Sequence, residues 1–450
     1  MKHLLRGRVL DFHGNPETVP DSHRYIEDGA ILIDEGRIVA TGPYDVLRVA
    51  DVPETDHRPH LLMAGFIDPH IHFPQVQVIA SWGEQLLDWL NDYVFPEEAR
   101  FAERRHADRM ADFLLDELVR NGTTTALAFA SSHPGSVDAL LSAAQARDMC
   151  VITGKVMMDR NAPASVLDTA QSSYDDSKAL IARWHGLGRA LYAITPRFAI
   201  TSTPAQLEAA GVLAREHPGC LIQTHLSENR DEIAYTLSLY PKARDYLDIY
   251  EQHGLLSSRL QLGHAIHLEP REIARLAETG ARAIHCPTSN LFLGSGLFDA
   301  RKLHEHGVVT GVATDIGAGT SYSMLQTLNE AYKIRQLRGD RLTALTAFHT
   351  ATRGNAIALG LEAEIGTLQP GSAADIVVLD PRATPAMTIR AERAERLDDE
   401  LFILQMLGDD RAVVETYVAG RPQKTRPASA SSASKNATRT LSPIAGPVVG

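Results

Sequence analysis

From Phe66 onward, short apolar runs alternate with amphipathic stretches, the pattern of strand–helix repeats around a parallel sheet. The runs cover 65–72, 124–129, 150–157, 190–198, 220–225, 260–264, 282–286 and 308–315, as many as a (β/α)8 TIM-type barrel requires. Between them, 104–121 ends on Gly122 and 269–279 on Gly280, glycines placed where a helix closes in the left-handed conformation. Before the repeats, 30–43 alternates apolar and polar positions around Asp34-Glu35-Gly36, which predicts a hairpin. After Leu361, 366–380 and 413–418 again read as turn plus strand. The expected organisation is an α/β chain in which residues 1–64 and 362–420 build a flanking β-sandwich around a barrel at 65–361. Residues 421–450, rich in Ser, Ala, Pro and Thr, are expected to be a disordered tail without chemistry.

Composition narrows the setting. The 450 residues, 44% hydrophobic and 22% charged, suit one large domain with an accessory unit. A net charge of -12 gives no electrostatic reason to bind a nucleic-acid backbone. Cys150, Cys220 and Cys286 cannot pair completely and show no metal-type spacing, which points to a reducing compartment. Charge interrupts the first residues before any signal-peptide core, and no apolar run is long enough to span a bilayer, so a cytoplasmic protein is expected.

Candidate chemistry gathers at the strand ends. His70 and His72 close the first repeat strand at i and i+2, so both rings project to one side of it. His225 closes 220–225 and Asp315 closes 308–315. In a barrel these ends meet on one face, giving three imidazoles and a carboxylate, a set suited to a catalytic Zn2+ that also holds water. Taken singly, each has an ordinary reading, a hydrogen-bonded histidine or an N-cap aspartate. Their coincidence on separate strands favours the metal.

The run 65–72, together with His225-x-x-Glu228, Gly263-His264 and Thr314-Asp315, resembles the amidohydrolase superfamily and its single-metal deaminases. Thr195-Pro196-Arg197-Phe198, 225–232, His285-Cys286-Pro287-Thr288-Ser289-Asn290 and Ser321-Tyr322-Ser323-Met324 narrow the resemblance to the guanine deaminase family, over roughly residues 6–420. Ala64 departs from the pattern, where a proline commonly precedes the glycine. The resemblance implies a zinc-dependent hydrolysis of guanine to xanthine and ammonia, one zinc per subunit and a homodimer. His70, His72, His225 and Asp315 would hold the metal, with Glu228, His264 and Asp315 as the catalytic groups. Zinc lowers the pKa of a water to about 7. Glu228 would then carry protons to the ring and the leaving amine, His264 would hold the water, and Asp315 would take its first proton.

For the base itself, the donor fork of Arg197 suits an O6/N7 edge, Gln75 can donate and accept, and Phe198 offers a face for stacking. His72, His225, Glu228 and Asp315 would also border the substrate. Trp82 and Leu87 are candidate pocket walls; His133, His285 and Ser321 are weaker candidates. A two-metal site would need a bridging lysine, for which Lys155 is the candidate strand position. Another amidohydrolase acting on a different nucleobase amine or cyclic amide would share the metal residues and differ at Gln75 and Arg197; a non-catalytic scaffold would have lost ligands.

Overall fold

Strands β1 (His3–Phe12), β2 (His23–Asp34), β3 (Arg37–Pro43) and β4 (Glu54–Ala64) open the chain in the computed structural model, which describes residues 2–82 and 86–424. The expected hairpin joins β2 to β3: Asp34 pairs with Arg37, and both turn residues, Glu35 and Gly36, have positive φ, at 49° and 76°. That is the backbone a two-residue hairpin needs to match the twist of its strands.

Strands β5 (Phe66–His72), β6 (Thr123–Phe129), β7 (Cys150–Gly154), the short β8 (Val156–Met157), β9 (Ala190–Pro196), β10 (Leu221–Leu226), β11 (Leu260–His264), β12 (Arg282–His285) and β13 (Thr310–Val312) follow. Their order is β5-β6-β7-β9-β10-β11-β12-β13, with β8 beside β9 and every pair parallel. The Asn355 side chain draws the first and last strands together, donating to the carbonyls of Ile67 (2.7 Å) and Val312 (2.8 Å) and accepting from Val312 N–H (3.0 Å). The result is a nearly closed TIM-type barrel.

The helix Arg104–Arg120 covers this barrel with Ala107, Met110, Ala111, Leu114, Leu115 and Leu118, all buried at helical spacing. It stops at Asn121 and Gly122, whose φ is 85°. Strands β14 (Ile376–Leu379), β15 (Val413–Val418) and β16 (Arg421–Pro422) return to the other sheet. That sheet is the flanking unit expected from both chain ends, a single mixed layer ordered β16-β15-β14-β4-β1-β2-β3. Its central pairing, Ile376 with Ala64, precedes the turn into β5, where Gly65 N–H donates to Asp375 O (2.9 Å).

Four details differ from the sequence reading. The run 150–157 breaks at Lys155, whose N–H bonds to the Tyr192 hydroxyl (3.2 Å) in place of a neighbouring strand. The run 308–315 is strand only over Thr310–Val312, and Asp315 at its end takes φ 54°, outside the extended region. Helices Pro385–Ala391 and Leu397–Leu407 lie between β14 and β15, where no helix was expected. The tail does not begin at Arg421: β16 pairs with β15, and Lys424 N–H donates to Glu415 (2.8 Å). The remainder of the expected tail, 425–450, lies outside the described residues. Among the described residues no helix is long and apolar enough to cross a membrane.

Candidate active site

His70 and His72 end β5 with 0% and 4% exposure, and the strand's two-residue period turns both rings to one side. His225 arrives on β10 and Asp315 just beyond β13. The Asp315 turn is held by its N–H on His70 O (3.0 Å) and by the Asp68 carboxylate, which accepts from Thr314 N–H (3.1 Å) and from the Thr314 hydroxyl. Gly263 leaves room for the His70 ring; a Cβ there would lie 2.3 Å from His70 Cε1.

The four side chains converge. His72 Nε2 lies 3.1 Å from His225 Nε2 and 3.4 Å from Asp315 Oδ1, and His70 Nε2 lies 3.5 Å from the same oxygen. Ligand atoms around a tetrahedral zinc with bonds of about 2.0–2.1 Å stand about 3.3–3.4 Å apart, so these separations fit one ion. Burial above all, and then the neighbouring imidazoles, push His70, His72 and His225 well below the usual histidine range, so all three are neutral. His225 Nδ1 donates to Arg197 O (2.7 Å), which leaves the lone pair of Nε2 facing His72. Among the described residues, Nε2 of His70 and Oδ1 of Asp315, which face each other, are buried with no hydrogen-bond partner. Buried acceptors that face one another unpaired are costly, and a cation between them removes the cost. Cys286 lies within reach of His70, His264 and Asp315, but burial pushes its thiol well up and keeps it protonated, a poor ligand.

Next to this cluster are two groups suited to proton transfer. Glu228 is 3% exposed; burial raises its carboxyl to about 7, against the lowering effect of the Ser295 hydroxyl that donates to Oε1 (2.8 Å). Its Oε2 lies 3.4 Å from His264 Nε2, which is itself 3.8 Å from Asp315 Oδ2. Asn290 Nδ2 donates to His264 Nδ1 (2.8 Å), so the hydrogen of the neutral ring sits on Nε2 and points at the two carboxylates. Ser227, His264, Ala265 and Asp315 all have positive φ, 49°, 68°, 48° and 54°. Left-handed backbone at non-glycine residues costs about 1–3 kcal/mol each and gathers where geometry matters for chemistry.

Beyond the carboxylates, a cleft is bordered by Gln75, Arg197, Phe198 and, of the four converging side chains, His72, His225 and Asp315. Its apolar wall is Leu86, Trp89 and Leu90. Trp82, expected as a wall, is 71% exposed, and Leu87 packs on the cluster behind the wall without bordering the cleft. On the short helix Leu86–Trp89 and the turn that continues it, residues 86, 89 and 90 share a face that 87 does not, and Trp82 precedes the helix. Glu98, on the short helix Phe95–Ala99, was not singled out in the sequence, for no motif surrounds it. It accepts from Arg197 Nη1 on both oxygens (2.8 and 2.9 Å) and from Gln75 Nε2 on Oε1 (3.1 Å).

The weaker candidates lie elsewhere. Lys155 ion-pairs with Asp168 and donates to Val156 O (3.3 Å), so its amine is already committed. His285 stacks on Phe298 with ring centres 4.5 Å apart and does not border the cleft; His133 caps the helix Pro134–Ala146; Ser321 accepts from Ser323 N–H (3.0 Å).

Comparison with known proteins agrees with this arrangement. Residues 61–422 match the model of the Amidohydrolase family. A curated guanine deaminase of Escherichia coli (strain K12) is 50% identical over 424 residues, covering 93% of this chain and 96% of the relative. A solved E. coli guanine deaminase superposes with a TM-score of 0.92 at 49% identity, over 93% of this chain and 99% of that one. A guanine deaminase from C. acetobutylicum, solved with guanine in its active site, gives a TM-score of 0.85 at 28% identity, over 94% and 100% of the two chains.

Proposed function

The chain belongs to the amidohydrolase family, among its guanine deaminases, and from that premise we propose that it hydrolyses guanine to xanthine and ammonia with one bound zinc. The observation that carries this reading is a single cleft holding both a metal-type cluster with its proton carriers and, on the far side, the donors and acceptors of Arg197 and Gln75.

His70, His72, His225 and Asp315 would hold the zinc, which supplies acidity to a water, lowering its pKa to about 7. The first proton of that water, expected from the sequence on Asp315, goes here to Glu228, which delivers it to the ring nitrogen beside C2 as oxygen adds to the carbon. A second proton, held by Asp315 and passed by Glu228, reaches the amine, which departs as ammonia and leaves the carbonyl of xanthine. The raised pKa of Glu228, about 7, suits a group that must gain and lose a proton within one turnover. The N–H of His264 orients the water between the carboxylates. Arg197 binds the O6/N7 edge, and Phe198 packs against the ring.

A single metal is supported by Lys155, whose ion pair with Asp168 competes with any bridging role. The three cysteines, all free and buried, support a reducing cytoplasm. Exposed Trp82 is the kind of residue a partner subunit covers in a homodimer.

Zinc-loaded protein should release one ammonia per guanine with xanthine accumulating, and leave adenine, cytosine and a cyclic amide unchanged. Turnover of one of those three with guanine inert would replace guanine by another amidohydrolase substrate.

A further inference from the structure

We propose that Glu98 is a positioning residue for base selection, fixing the Gln75 amide so that the site presents an acceptor and not a donor to the ring. The inference rests on the guanine reading above and deepens it.

Glu98 is 1% exposed, and its carboxylate holds two side chains that border the cleft. An ionised carboxylate accepts and cannot donate. Gln75 Nε2 therefore points at Glu98 Oε1 (3.1 Å), and this is the amide's one hydrogen bond among the described residues. Rotating the amide would set its oxygen against the carboxylate, so Oε1 of Gln75 stays turned away from Glu98, free for a ligand N–H. The same carboxylate engages Arg197 through Nη1 alone, leaving Nε and Nη2 for a substrate oxygen or ring nitrogen. Arg197 is 3% exposed, and its guanidinium lies 5.5 Å from the centre of the Phe95 ring, so the fork has little freedom to turn.

The result is a fixed polarity: an acceptor at Gln75 beside donors at Arg197. Guanine carries a ring N–H at N1 next to the O6 carbonyl, which complements both. 2-Aminopurine keeps the C2 amine but offers a bare N1 lone pair and no O6, so Gln75 would face it acceptor to acceptor.

The test is the ratio of the inhibition constant of 2-aminopurine to KM for guanine, read in the full-length zinc-loaded protein. Glu98→Gln gives residue 98 an N–H, so Gln75 can turn its amide and offer a donor to the cleft. Its ratio should narrow by about tenfold or more, mostly through KM, with zinc content unchanged. Equal weakening of both bases would make Glu98 a structural support only and overturn the proposal. Should Glu98→Gln fail to fold, Glu98→Asp keeps the charge near Arg197 while drawing the carboxylate back from Gln75, and its ratio should also narrow. In a Gln75→Ala background the Glu98→Asp change should no longer alter the ratio. Additive effects of the two changes would show that Glu98 does not act through Gln75 and would sink the idea. If the parent protein converts no guanine, the functional reading fails and this inference falls with it.

Discussion

Two buried polar clusters sit at the strand ends of the same barrel and differ in how they are completed. In one, Lys155 pairs with Asp168, whose carboxylate also accepts from Gln206 Nε2 (2.7 Å) and the Ser173 hydroxyl (2.5 Å). In the other, His70, His72, His225 and Asp315 turn ring nitrogens and a carboxylate toward one point, and His70 Nε2 and Asp315 Oδ1 have no partner among the described residues. Opposite charges can satisfy each other, whereas a set of acceptors cannot. The first cluster is therefore a finished part of the fold, and the second is one that a cation would finish.

Removing one carboxylate from each cluster should break them in opposite ways. Asp315→Ala should abolish ammonia release and lose zinc on dialysis. Asp168→Ala should keep zinc but strand a lysine that is 1% exposed, costing about 3–5 kcal/mol in a urea titration. Stoichiometric zinc and normal turnover in Asp315→Ala would erase the distinction.

The next largest effect separates the acceptor cluster from the proton carrier beside it. Glu228→Gln should retain zinc and bind guanine while kcat falls by about 10²–10⁴-fold. Zinc loss in that variant would move Glu228 into the ligand shell.

A smaller effect sharpens the role of Ser295. Its hydroxyl stabilises the Glu228 carboxylate against burial, so Ser295→Ala should raise a pKa that stands at about 7. Because Glu228 must be ionised to take the water's proton, activity rises with pH through this pKa. The rising limb of kcat/KM should thus move to higher pH in Ser295→Ala, with the greatest loss on the acid side and recovery at alkaline pH. An unchanged limb would assign it to another group.

The smallest effect concerns the end of the chain. Deleting 425–450, which leaves Lys424 on Glu415, should alter neither turnover nor melting temperature. A large drop in either would place that segment on the body or on a partner subunit.

Much of the fold was legible because strands and helices carry different hydrophobic periods. The helix over Arg104–Arg120 stops at the Asn121-Gly122 step that its sequence announces, and 413–418 is strand throughout. Lys155 defeated the period: a charged residue inside an apolar run reads as one alternation, yet its N–H turns to Tyr192 and splits the strand. The helices Pro385–Ala391 and Leu397–Leu407 were hidden because they are short, and an apolar run such as 401–404 fits a buried strand as well as a helix. At the site, His-x-His and His-x-x-Glu declare themselves by spacing, while Glu98 belongs to no motif and gains its role from Gln75 and Arg197, distant in sequence.

By itself the sequence determined what kinds of group stand at each strand end, since a strand's two-residue period and its last residue are local properties. Barrel closure is not local. Whether His72 meets His225, whether Lys155 is spent on Asp168, and which way the Gln75 amide points were decided only when β5 and β13 came together and Glu98 was buried between two side chains. Hydrogen-bond direction and burial depend on partners remote along the chain, and only the folded structure supplies them.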